Sequence, residues 1–95
     1  MYTKEQFQAW LASKDEGTYV GQTTSRCNCP LAMFYKAADP KYKQISMGKR
    51  RKTWQEGTGY VSADNEDWEM KFIATIDKMN RVLVSKEEAL HALET

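Results

Sequence analysis

The order of residues predicts an α+β fold of about four short helices with a small two- or three-stranded antiparallel sheet. Three observations lead there. Apolar residues recur at helical spacing near both ends and twice between them, an alternating stretch framed by glycines occupies the middle, and capping residues stand just before the helical clusters.

Taken in order, Thr3 and Gln6 have the spacing of a capping box, in which each side chain satisfies a backbone N–H at a helix start. Phe7, Trp10 and Leu11 follow at i, i+3 and i+4, on one face. With Lys14 suited to the negative helix end and Gly17 beyond it, a helix over 4–14 is expected. Residues 18–25 are polar and β-branched, an extended segment or a loop, with Val20-Gly21 touching the core.

Cys29-Pro30 reads as the next helix start, because the missing N–H of proline is harmless in the first turn. Leu31, Phe34, Tyr35 and Ala38 keep the helical period, and Pro40 pushes Asp39 out of the α region, so the helix covers 30–39. Residues 43–47 alternate, with Ile45 and Met47 on one side, which is the pattern of a half-buried strand. After a turn at Gly48-Lys49, Arg51 to Trp54 return as a second strand. Glu56 to Gly59 turn again, and Tyr60-Val61 add a third.

Ser62 or Asp64 is expected to cap a helix over 65–79, with Glu66, Asp67 and Glu69 favouring its positive end. Trp68, Phe72, Ile73, Ile76 and Met79 give it the most apolar face in the chain, and Asn80 ends it. Val82-Leu83-Val84 is long enough only for a bridging strand. Ser85 and Glu88 form a second capping box, opening a helix to about Leu93 with Ala89, Leu90 and Leu93 inward.

Ninety-five residues without repeats, linkers or low-complexity tracts suit a single compact domain spanning 1–95. Three Trp, five Tyr and three Phe supply much of its core, at roughly 150–250 Å² buried each. No stretch approaches the ~20 apolar residues of a membrane span. The first residues lack the charged head and apolar run of a signal peptide. A cytoplasmic protein with reduced thiols and no membrane partner is the expectation.

Catalytic patterns are sparse. A thiol at a helix N-terminus, as at Cys29, has a lowered pKa, but a cysteine nucleophile also needs a base. His91 is the only histidine, in the C-terminal helix beside Glu87 and Glu88, so Cys29 reads as a packing residue. Zinc needs about four ligands, and Cys27, Cys29 and His91 do not supply them within one chain; a site shared by two chains stays open. The chain is therefore read as not an enzyme, with no cofactor and no metal.

Charge is the strongest functional signal. Net charge is +1, yet 26–52 holds eight basic residues against one acid, a net +7, while the remainder holds six against twelve, a net −6. The run Lys49-Arg50-Arg51-Lys52, with Lys43, Tyr42 and Trp54 nearby, has the make-up of a binding surface for an anionic partner. Cations neutralise phosphates, and aromatic rings stack on bases or anchor an interface. The plain alternative is a strand turn charged for solubility.

Gly21, the Cys29-Pro30-Leu31-Ala32 helix start with Tyr35 behind it, Trp68…Phe72…Ile76-Asp77, and Val84 before Glu88-Ala89-Leu90 carry a resemblance. The chain resembles a group of small uncharacterised bacteriophage and bacterial proteins with a Cys-Pro-Leu-Ala helix start. It departs from them in its middle, where the Lys-Arg turn is longer and more basic. The resemblance implies a phage-type accessory protein acting by stoichiometric protein–protein interaction, including inhibition of a host defence complex. The expected partner is thus a protein complex, or nucleic acid or a nucleotide, held at the 41–52 segment, and a homodimer is compatible with the sequence.

Overall fold

The computed structural model describes residues 2–79 and 81–94. Helix α1 (Lys4–Ala12) leads to strand β1 (Tyr19–Gln22), helix α2 (Pro30–Ala38) and a single 3-10 turn (Pro40–Tyr42). Strands β2 (Ser46–Met47), β3 (Arg51–Glu56) and β4 (Gly59–Asp64) follow, then helix α3 (Asp67–Asp77), strand β5 (Leu83–Ser85) and helix α4 (Lys86–Glu94). The α+β fold is therefore present, with two antiparallel sheets: β1 pairs with β5, and β2-β3-β4 form a meander. No helix among the described residues is long and apolar enough to cross a membrane.

Local chemistry explains most of these boundaries. The Thr3–Gln6 capping box closes in both directions, at 2.8 and 3.1 Å, and so does the Ser85–Glu88 box, at 3.0 and 3.1 Å. Cys29 caps α2: its Sγ accepts the Ala32 N–H at 3.4 Å, with Pro30 in the first helical position. Helix α1 stops at Ala12, two residues before Lys14, whose ammonium instead lies 4.7 Å from the centre of the Trp10 ring. Lys86 supplies the cation that α1 lacks, donating to the carbonyls of Ala12 and Lys14 at 3.2 and 2.6 Å.

Three expectations are corrected. The strand over 43–47 shrinks to Ser46–Met47, because the Asp39 carboxylate accepts the Lys41 N–H and winds 40–42 into the 3-10 turn. Neither Ser62 nor Asp64 caps α3; both belong to β4, which outgrows Tyr60-Val61 because each of its residues finds a partner on β3. The N-cap is Glu66, whose N–H donates to Glu69 Oε1 at 2.8 Å. Met79 lies just past α3, and the terminator expected at Asn80 falls outside the described residues.

One contiguous cluster of buried side chains forms the core, and aromatic rings are its spine. Phe7 meets Trp10, Phe34, Trp68 and Phe72 with ring centres 5.0–6.1 Å apart. The series continues from Phe34 through Tyr35 and Tyr42 to Trp54. Edge-to-face geometry along this path adds about 0.5–1.5 kcal/mol per pair to the burial itself. Gly21 lets β1 lie against the start of α2, since a Cβ there would stand 2.5 Å from Pro30 N and 2.7 Å from Asn28 O.

Candidate anionic-partner surface

The basic run divides where β3 begins. A strand sends successive side chains to opposite faces, and β3 does so from its first residue. Arg51 points to solvent, 3.5 Å from the Asp64 carboxylate, and Lys52 points inward beside Trp54. Lys52 is fully buried. Its ammonium donates to Glu69 Oε1 at 2.6 Å and to the Tyr35 hydroxyl at 3.1 Å, while that hydroxyl donates to Glu69 Oε2 at 2.7 Å. Burial first, and the Glu69 carboxylate second, hold the Tyr35 phenol well above its usual range, so it stays a donor.

Lys52 is therefore no part of an external surface, which corrects the expectation from the sequence. Glu69 accepts the Glu66 N–H at the start of α3 and is at the same time fully buried as the counter-ion of Lys52. A buried cation must be paired and hydrogen-bonded, and α3 brings the carboxylate that does this. Trp54 and Tyr42 are corrected as well. Each retains only 5% exposure within the aromatic spine, so neither ring is free to stack on a base or anchor a partner.

Lys49 and Arg50 remain exposed, on the turn joining β2 to β3. That turn is tightly held. The Gly48 N–H donates to Arg51 O at 2.8 Å, the Asn65 N–H donates to Arg50 O at 2.8 Å, and Asn65 Nδ2 donates to Gly48 O at 2.9 Å. Asn65 is itself buried, and its Oδ1 has no hydrogen-bond partner among the described residues. The loop before α2 is tied to the same place, since the Met47 N–H donates to Arg26 O at 2.8 Å and the Thr24 N–H donates to the Asp77 carboxylate at 3.0 Å.

Two adjoining clefts result, sharing Lys49, Ile73 and Asp77. One, of about 440 Å³, runs between the Arg26 loop and the turn, over Met47 and Cys29. The other, of about 410 Å³, runs between the turn and α3, over Met70 and Ala74, with Lys78 at its far side. Four exposed cations (Arg26, Lys49, Arg50 and Lys78) thus border an apolar floor that carries one carboxylate, Asp77. Lys43 is not brought here; it lines a separate cleft with Lys41 and Glu56 that shares no residue with these two.

Arg26 and Lys78 were not singled out by sequence reasoning as members of one surface. The signal for Lys78 was present, since Met70 and Ala74 on α3 and Lys78 at its C-cap stand at i, i+4 and i+8. Nothing local marks Arg26, which arrives through the long-range hydrogen bond to Met47.

Cys29 does not have the low thiol pKa of an open helix N-terminus. Burial pushes its pKa up to about 11, outweighing the hydrogen bonds from Ala32 and Leu31. At neutral pH it is a protonated, buried cap, whereas Cys27 is exposed. Among the described residues no three His, Cys, Asp or Glu side chains come together as metal ligands. No protein family, no curated protein and no solved structure matches this chain.

Proposed function

We propose that this chain is a non-enzymatic interaction protein that binds an acidic segment of a protein partner at the paired clefts beside the β2–β3 turn. The observation that supports this most is the ring of Arg26, Lys49, Arg50 and Lys78 around Met70, Ile73 and Ala74. Carboxylates flanking an apolar side chain match both its charge and its floor. Interfaces of this kind gain rate and specificity from the charges and affinity from the apolar centre. A nucleic acid is the weaker fit, because Tyr42 and Trp54 are enclosed and offer no stacking platform.

On the resemblance to small bacteriophage proteins, a host defence complex is the partner class to try first, blocked by occupancy rather than by chemistry.

The test is fluorescence anisotropy with a labelled Glu/Leu peptide, single-stranded DNA, duplex DNA and RNA, at low and physiological salt. Wild type is compared with Lys49→Ala/Arg50→Ala. The expected result is salt-sensitive peptide binding that the double substitution weakens about tenfold, equivalent to about 1.4 kcal/mol. Tighter binding of DNA or RNA, lost in the same variant, would make nucleic acid the partner. No binding of any probe at low salt overturns both readings.

A further inference from the structure

Strand β4 pairs with β3 on one side only and is a free edge of the meander. Exposed edges invite pairing with other chains, and proteins usually blunt them with lysine, proline, a bulge or shortness. The other edges among the described residues are blunted: β2 has two residues, β5 has three, and β1 has four with a bulge between Tyr19 and Gly21. β4 has six residues in unbroken register with β3, and no charge or proline from Gly59 to Ala63. Its Tyr60 is 74% exposed and its Val61 37%.

The hairpin turn fixes which backbone groups face outward. Gly57 has φ +64° and Thr58 is not left-handed, the arrangement of a type II′ two-residue turn. Glu56 and Gly59 are then a hydrogen-bonded pair, and bonded and non-bonded pairs alternate along the ladder. The N–H and C=O groups of Tyr60 and Ser62 therefore point away from β3.

We propose that β4 is a homodimerisation strand, pairing antiparallel with β4 of a second copy about a two-fold axis at Val61. In this register Tyr60 faces Ser62 of the partner subunit and Ser62 faces Tyr60 of the partner subunit, so about four N–H···O bonds form between chains. Val61 meets Val61 of the partner subunit on the face that carries Trp54, its neighbour on β3, and prolongs the apolar side of the sheet. Asp64 falls opposite Thr58 of the partner subunit, so no like charges oppose each other across the axis. A two-fold register centred on Ser62 instead sets Tyr60 against Asp64 and separates the two valines. The uncharged, self-complementary strand makes a second copy its occupant, and the two meanders join into one continuous sheet. The cationic clefts are not involved, so this inference does not rest on the function proposed above.

Two measurements test it. In a Cys27→Ser background, Val61→Cys is expected to form a disulfide-linked dimer under mild oxidation. Facing residues of a non-bonded pair lie at about 4.5 Å between Cα atoms, within the roughly 4.4–6.8 Å disulfide range. Tyr60→Cys in that background is expected to form no disulfide-linked dimer, because position 60 faces position 62 of the second copy. By sedimentation equilibrium, wild type is expected to dimerise, and Ser62→Pro or Val61→Lys to weaken the dimer at least about tenfold with unchanged circular dichroism. Proline at 62 removes an outward N–H and the exposed hydroxyl contact with Thr53, but no ladder hydrogen bond to β3, and lysine at 61 opposes two like charges. Both sites lie on the open edge, and Val61→Lys keeps every backbone donor should the proline disturb the fold. A wild type that stays monomeric at millimolar concentration overturns the proposal, as does a dimer that either substitution leaves equally tight. Equal crosslinking of Tyr60→Cys and Val61→Cys overturns the register.

Discussion

Lys49 and Lys52 belong to one run of four cations, yet they occupy opposite surroundings. Lys49 stands on a turn bordering two open clefts, and Lys52 lies sealed against Glu69 and Tyr35 under the sheet. The contrast teaches that charge density along a sequence is not charge density on a surface. Where a turn becomes a strand, period-two alternation sends every second residue inward. A cation sent inward must find a carboxylate or the fold loses stability. The segregation of a basic middle from acidic flanks is thus partly internal pairing: Lys52 with Glu69 in the core, and Arg51 with Asp64 at the surface.

The largest test of that contrast is Lys52→Ala. It leaves Glu69 buried without a counter-ion, so unfolding free energy is expected to fall by about 3–5 kcal/mol in urea titration. The triple change Lys52→Met/Glu69→Leu/Tyr35→Phe removes all members of the buried network together and is expected to recover most of the loss. A cost under about 1 kcal/mol for Lys52→Ala would mean that the buried pair does not anchor the fold.

Asn65→Ala probes the junction between the two regions. It removes the hydrogen bond to Gly48 O but also the unpaired buried Oδ1. The expected loss is therefore about 1 kcal/mol, near the net worth of one hydrogen bond. Amide exchange is expected to quicken at Lys49 and Arg50 while the core stays protected. Uniform loss of protection would mean that Asn65 supports the whole fold rather than the turn.

The smallest effect is expected at the exposed end. Lys49→Ala/Arg50→Ala should change stability by no more than about 0.5 kcal/mol, the same pair that is expected to govern binding. A loss as large as that of Lys52→Ala would erase the distinction between turn and core.

Much of the fold was legible where local chemistry decides it. The capping boxes at Thr3–Gln6 and Ser85–Glu88, the Pro30 helix start and the turn at Gly57 all appear where the residues put them. Phe7 and Leu11 of α1, Leu31, Phe34 and Tyr35 of α2, and Phe72, Ile73 and Ile76 of α3 are buried as their spacing requires, with Trp10 and Trp68 half-buried; Ala38, expected on the same face of α2, is exposed in its last turn. Less of the candidate surface could be read. Of Tyr42, Lys43, Lys49, Arg50, Arg51, Lys52 and Trp54, only Lys49 and Arg50 line the paired clefts. The inward side of Lys52 was in fact implied by its sharing a strand face with Trp54.

By itself, then, the sequence determined the α+β class, the starts of α1, α2 and α4 and the identity of the apolar residues, because caps, turns and periodicity act within a few residues. Only the tertiary structure decided that β1 pairs with β5, that Glu69 neutralises Lys52, and that Arg26 and Lys78 flank Lys49. Those outcomes join residues far apart in the chain, and they follow from how the helices and sheets pack around the aromatic spine rather than from any neighbour in sequence.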